Sequence, residues 1–314
     1  MIRFLLTLQV VALSAQAAGP PLQDFSSPFA DKDCQVIWEA PTNFPTSVKI
    51  FAVVPTKFSP ETISNLLQLA ELTTKNKRRP VQEGVFLGKD VLAYASKEDT
   101  RQLSIVPSQG FIAVSKDDAF AAPRQTPVGV PDDKEAPELA LNLLRKLGLN
   151  TSGLATGSKG EILPSSFSEG SVLHKEKPSG RIVTNVISRS ITLTRQIEGI
   201  TVSGMAGISM KFGNEGKLAY LEWTCRTIKP AGECLVPSAA GFVSRIKSGR
   251  TMIFEEQAGK PIQKLTIKRV QLYYWENEGS KPQTMIYPFA VLEAETDLPG
   301  KDSQTRLFVP FANE

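Results

Sequence analysis

Between residues 191 and 225 the chain alternates apolar and polar side chains three times over: Ile191, Leu193 and Ile197, then Ile208, Met210 and Phe212, then Leu221, Trp223 and Cys225. A period of two puts one side of each strand in a core and the other in water. Turns at Gly199, Gly204 and Gly213-Asn214-Glu215-Gly216 separate the runs, and connections that short join antiparallel neighbours. Such a sheet has one face to cover, and amphipathic segments flank it. Ala140, Leu143, Leu144 and Leu147 line one side of a helix over 135–147 that Gly148 terminates, and Ala239, Phe242, Val243 and Ile246 line another ended by Gly249. Two further strands, 265–275 and 284–295, are joined by a loop containing Gly279. Pro288 donates no ladder hydrogen bond, which points to an edge or a bulge.

The first part of the chain repeats this economy on a smaller scale. Ser59-Pro60-Glu61 signals a helix start, and Ile63, Leu66, Leu67 and Ala70 follow at helical spacing. Strand-like runs at 48–54, 84–95, 102–106 and 110–114 surround it. The fold class expected is α+β, two lobes of antiparallel sheet each packed by one or two helices: an N-terminal lobe over 31–116, a Pro- and charge-rich linker over 117–134, a second lobe over 135–296 and a tail over 297–314. Residues 150–180, rich in Ser, Gly and Lys, read as a long loop.

Arg3, the apolar run from Phe4 to Leu13 and Ala15-Gln16-Ala17 have the form of a secretory signal over residues 1–17. The expected location is therefore secreted or periplasmic. Its removal takes the formal charge from +4 to +3, too mild a balance to argue for nucleic acid or an anionic membrane. The one basic run, Lys75, Lys77, Arg78 and Arg79, reads as a solvated loop. No later segment is long and apolar enough to span a bilayer. Of three cysteines, Cys225 and Cys234 flank a short segment with Pro230 and Gly232, compatible with a local disulfide adding about 2–3 kcal/mol or with two buried thiols. Cys34 is either a buried thiol beside Trp38 or an intermolecular link.

Leu193-Thr194-Arg195-Gln196-Ile197-Glu198-Gly199-Ile200-Thr201-Val202-Ser203-Gly204 resembles the core of a PepSY-like domain of the kind found in thermolysin-type propeptides, with its Arg-Gln, its Gly-x-x-Val-x-Gly and a following Asx-x-Gly turn. The helix ending Leu147-Gly148-Leu149, Leu272-Tyr273-Tyr274 and Tyr287-Pro288-Phe289 continue the pattern in order. The resemblance implies helix, three strands, helix, two strands in one lobe over 135–296, and a module that binds, restrains or chaperones another protein. Similar lobes stand in tandem in extracytoplasmic Yyc-type proteins that restrain a membrane sensor kinase. The partner it implies is an exported peptidase or a membrane sensor-protein ectodomain.

Catalytic chemistry finds little to stand on. His174 is the only histidine, which excludes a His-Glu-x-x-His zinc site and any site with two imidazoles. There is no Gly-x-Ser-x-Gly elbow, and Gly157-Ser158-Lys159-Gly160 lacks the spacing of a phosphate loop. Carboxylate pairs at Asp117-Asp118, Asp132-Asp133 and Glu255-Glu256 fall in loops or at element ends. No cofactor or metal is expected. Tyr273, Tyr274 and Trp275 are either an aromatic anchor for a partner or part of a sheet covered on both faces, and Arg195 is either a buried ion-pair partner or part of a contact surface. Asn150-Thr151-Ser152 has the form of a glycosylation acceptor. The reading expected is a non-enzymatic binding or inhibitory module; the alternatives are a carboxylate hydrolase in an inter-lobe cleft and a structural envelope protein.

Overall fold

The computed structural model describes residues 34–78, 90–119, 127–157, 161–175, 182–204, 207–253, 262–277, 279 and 281–311. The signal-like segment, residues 84–89 and Glu255-Glu256 lie outside these. The first half of the chain supplies β1 (Gln35–Trp38), β2 (Ser47–Val54), α1 (Pro60–Leu69), β3 (Lys77–Arg78), β4 (Leu92–Ala95), β5 (Arg101–Val106), β6 (Phe111–Lys116) and α2 (Glu135–Lys146). The middle supplies β7 (Pro164–Lys175), β8 (Ile182–Leu193), β9 (Gln196–Ile197), β10 (Ile200–Gly204), β11 (Ile208–Phe212) and β12 (Leu218–Thr224). Then come β13 (Thr227–Leu235), α3 (Ala239–Lys247), β14 (Met252–Ile253), β15 (Lys264–Glu276), β16 (Met285–Thr296) and β17 (Gln304–Pro310).

Two sheets result, an α+β architecture. One is an antiparallel run of eight strands in the order β3-β4-β5-β6-β12-β11-β8-β7. The other has nine strands built round the long hairpin β15–β16. At one end that hairpin is flanked by β10 and β2, with β13 outside β2; at the other it is flanked by β1 and β17. Pro288 sits between the stretch of β16 that pairs with β2 and the stretch that pairs with β17. Its missing N–H falls where the outer neighbour changes, which explains a proline in mid-sheet.

Each sheet has its own core. On the eight-stranded sheet, Leu66 and Ala70 of α1 and Ala140 and Leu144 of α2 pack against Leu103, Ile112, Val114, Ile191, Met210 and Leu221. On the nine-stranded sheet, Phe242 and Ile246 of α3 cover Leu265, Ile267, Leu292 and Leu307, and the ring of Phe242 stacks on Trp38 at 5.6 Å. Burying each such side chain stabilises by about 1.5–3 kcal/mol. Local signals place the helices as the sequence implies. Ser59 Oγ accepts the Thr62 N–H at 3.0 Å, and Pro60 occupies the first turn. Asp132 Oδ1 accepts from the N–H groups of Lys134 and Glu135, and Glu135 Oε2 accepts from the Asp132 N–H, a reciprocal cap at the start of α2.

The division of the chain differs from the linear one. β6 pairs with β12, so the eight-stranded sheet joins residues from both sides of 117–134; β2 pairs with β13 and β16, so the other does too. The helix, three strands, helix and two strands over 135–296 are all present, but α2, β8, β11 and β12 belong to one sheet while α3, β15 and β16 belong to the other. They do not form a single lobe. Residues 164–175 form a strand, not part of a long loop, and the tail over 297–314 contributes β17, which pairs along most of β16.

Candidate functional site

The chain crosses between the sheets at three places in the middle of the sequence. It leaves the eight-stranded sheet after Leu193 at the end of β8, returns between β10 and β11, and leaves again after Thr224 at the end of β12. A crossing strips backbone and side chains of sheet neighbours, and both outgoing crossings carry an arginine: Arg195 and Arg226. Both are buried, their side chains 9% and 0% exposed, and both turn towards Glu276 at the end of β15, itself 1% exposed.

The geometry is that of a charge-assisted clamp. Arg195 Nη1 donates to Glu276 Oε1 at 2.7 Å and Oε2 at 2.6 Å, and Nη2 donates to the Arg226 carbonyl at 2.8 Å. Arg226 Nη1 lies 3.3 Å from Glu276 Oε1 and donates to the Asn277 carbonyl at 2.8 Å; Nη2 donates to the Lys281 carbonyl at 3.0 Å and Nε to Gln109 Oε1 at 3.2 Å. Gln109 also accepts the Gln283 N–H at 3.0 Å. The turn Pro107–Gln109 is thereby fixed to the end of the β15–β16 hairpin, and Thr56 N–H donating to the Pro107 carbonyl at 2.8 Å and Cys225 N–H donating to Gly110 at 3.1 Å complete the seam. Burial alone would lower the Arg195 pKa, but the Glu276 charge and hydrogen bonds hold it above its ordinary value. For Arg226 burial prevails over Glu276 and lowers it.

Two glycines permit the closeness. A Cβ on Gly204, whose φ is +120°, would lie 2.2 Å from the Glu276 carbonyl oxygen, and one on Gly279 would lie 2.0 Å from the Phe111 ring. The first belongs to the Gly-x-x-Val-x-Gly run, so that pattern serves the approach of β10 to β15.

Beside the clamp is a cleft of about 630 Å³ lined from both sheets, with Phe51, Ile228 and Ile197 on one wall, Phe58, Leu149 and Trp223 on the other, and Arg195, Arg226 and Cys225 within. Burial raises the Cys225 pKa in spite of the Arg195 charge, so the thiol is held neutral. Glu198 is the one carboxylate among the described residues that line it, and it pairs with Lys49 at 2.6 Å. The described lining residues do not bring together the two carboxylates that a glycosidase-like hydrolase uses.

The other residues singled out in the sequence fall as follows. Cys225 and Cys234 are not bridged: both are thiols. They stand at either end of β13, where an extended chain of nine positions separates them by roughly 25–30 Å, far beyond disulfide reach. Pro230 and Gly232 form a bulge within that strand, not a closing loop. Cys34 is a buried thiol in the core that holds Trp38. Arg195 is the ion-pair partner, largely buried at the lining of the cleft. Tyr274 is likewise buried, packed edge-on to Phe51, with its hydroxyl donating to the Lys49 carbonyl at 3.1 Å. Tyr273 and Trp275 project to the other face as half-buried rings against Phe289. Asp133 pairs with Arg189 at 3.0 Å. His174 falls on β7, opposite Val183. Glu276 and Arg226 went unnoticed in the sequence; Glu276 takes the next inward position after Leu272 and Tyr274, as Arg195 does after Ile191 and Leu193, whereas Arg226 follows the alternation of Leu221, Trp223 and Cys225 out of phase.

A second feature lies far from the cleft, at the sheet's rim. Among the described residues β7 is the outermost strand of the eight-stranded sheet, with β8 on one side only. Of eight large apolar side chains exposed among the described residues, five lie in this hairpin or directly before it: Leu163, Phe167, Val172, Leu173 and Ile182.

No family model matches the chain, so the PepSY-like resemblance finds no support there, and no curated protein matches it. Among solved structures, an uncharacterized protein from Eubacterium rectale ATCC 33656 is similar at 12% identity and a TM-score of 0.42, over 90% of each chain. YycH from Bacillus subtilis is similar at 11% identity and a TM-score of 0.39, over 86% of this chain and 53% of that one. This chain therefore spans about half the length of YycH. Overlaps this shallow assign neither family nor function.

Proposed function

We propose that this protein is a non-catalytic, extracytoplasmic binding module that docks an exported peptidase or the ectodomain of a membrane sensor protein along the outer edge of β7. The observation that carries the reading is the edge itself. Exposed sheet edges are ordinarily kept short, charged or interrupted by proline. Here twelve residues have no strand on their outer side among the described residues, with proline only at the first and bulges at Pro164/Ser166 and Gly170/Ser171, and the hairpin concentrates exposed apolar side chains. An extended partner segment added to β7 gains main-chain hydrogen bonds, while Phe167, Val172 and Leu173 supply apolar anchors. The signal-like residues 1–17 support the location, and no helix among the described residues is long and apolar enough to cross a membrane.

The test compares the wild-type mature chain with Leu173→Lys, both immobilised and exposed to the exported proteins of the host. A single partner retained by the first and lost by the second, with equal thermal stability, is the expected result. Retention by both removes β7 from the interface, and retention by neither favours a structural role.

A further inference from the structure

The inter-sheet cleft is separate from the β7 edge, and its walls mix apolar side chains with hydrogen-bonding ones: Phe51, Phe58 and Ile228 beside Arg195, Gln196 and Ser152. Charge is not what this site is short of, since Arg195 has its counter-charge in Glu276. It is short of acceptors. Arg195 directs Nη1 to Glu276 and one Nη2 proton to the Arg226 carbonyl; its Nε proton and its second Nη2 proton have no acceptor among the described residues. The side chain is only 9% exposed, and a buried donor left unmet costs about 1–3 kcal/mol. The side-chain amide of Gln196, half-buried on β9, also has no partner among the described residues.

A second, independent observation lies in the strand on one side. Among the described residues β13 pairs with β2 alone, so no strand covers its outer side, and Thr227, Ile228 and Pro230 at its start line the cleft. The edge is protected by a proline and a bulge only from Pro230 onward. Residues 227–229 offer main-chain donors and acceptors ahead of them. A ligand that suits these features carries acceptors for Arg195, main-chain groups for an open strand edge and apolar side chains at alternate positions. An extended peptide has all three, repeated at about 3.3 Å per residue, and strand addition is an ordinary way of holding one. A saccharide shares the acceptors, but it packs on open aromatic faces, and Phe51 and Trp223 are each only 3% exposed.

We infer that the cleft binds an extended, uncharged peptide segment laid beside residues 227–229 of β13, with a main-chain carbonyl on Arg195 and an apolar side chain between Phe51, Phe58 and Ile228. Binding ties β8–β9 and β12–β13, the two outgoing crossings, to a common ligand.

Calorimetric titration tests this with acetyl-Ser-Leu-Ser-Phe-Ser-Leu-amide, a capped peptide without charge that alternates polar and apolar side chains. It binds the wild-type protein with a Kd below about 1 mM. Methylating alternate main-chain nitrogens can be done in two ways, and one of them weakens binding about tenfold more than the other, because only one set of N–H groups faces β13. Ser152→Trp, at an exposed position on the lining, blocks the cleft and abolishes binding with the melting temperature unchanged. The inference is overturned by a peptide that does not bind up to about 10 mM, by equal binding of the two methylated forms, or by a free-acid form about tenfold tighter than the capped one. It is overturned equally by a Ser152→Trp protein that still binds, which places the peptide elsewhere, the β7 edge included, and by binding of N-acetylchitotetraose in place of the peptide.

Discussion

At the scale of the residue, the clamp decides which substitutions matter. Removing the shared member of a buried cluster strands the charges it served, so Glu276→Gln is expected to cost about 3–5 kcal/mol in urea unfolding, and Arg195→Ala, which leaves Glu276 on Arg226, a smaller amount. The double variant should cost less than the sum, since Glu276 no longer faces a missing partner. A loss under about 1 kcal/mol for Glu276→Gln would mean that water reaches the clamp. How far this was legible is instructive. Arg195 stands out in the sequence because it occupies the next inward position after Ile191 and Leu193. Its partner lies 81 residues away, and no local pattern encodes such a pairing. A thiol gives the pH-dependent counterpart. Burial pushes the Cys234 pKa up to about 11. A raised pKa means that the unfolded chain ionises first, so the stability held below the ordinary value of 9.0 is lost as pH rises towards 11. Between those limits the wild-type urea midpoint should fall more than that of Cys234→Ala.

At the scale of the element, the strands that pattern missed are those without two different faces. β7 was hidden because it lies at an edge, is rich in Ser and Gly, and shifts register between Gly170 and Ser171, which breaks a period of two. β13 was misread for a related reason: Pro230 and Gly232 look like turn residues, but an edge bulge tolerates both. Helices fared better, since each carries its own boundary signals, such as Ser59 with Pro60 for α1 and Ser238 before α3. The strand reading of β13 makes a chemical prediction. Mass spectrometry after alkylation in denaturant without reductant should find all three cysteines modified. A species lacking two modifications would restore the Cys225–Cys234 bridge and require β13 to be broken.

At the scale of the whole molecule, two sheets were legible and their assembly was not. Alternation tells that a strand has a buried face, but it is silent on which strands share a sheet. Residues 34–116 look self-sufficient, with one helix and several strands. In the structure β6 of that segment pairs with β12, and β2 pairs with β13 and β16. A fragment ending at residue 116 would leave the other edge of β6 bare and both sides of β2 unpaired, and it would expose Ile112, Val114 and Leu66 without α2 or β8 to cover them. Such a segment cannot bury enough apolar surface to offset about 1–2 kcal/mol of backbone entropy per residue. The fragment 34–116 is therefore expected to show collapsed amide dispersion in its NMR spectrum, while the mature chain unfolds in one calorimetric transition because the crossings and their arginine clamp bind the sheets together. A folded fragment, or two separate transitions in the whole chain, would mean that the seam is weak and that each sheet's core suffices alone.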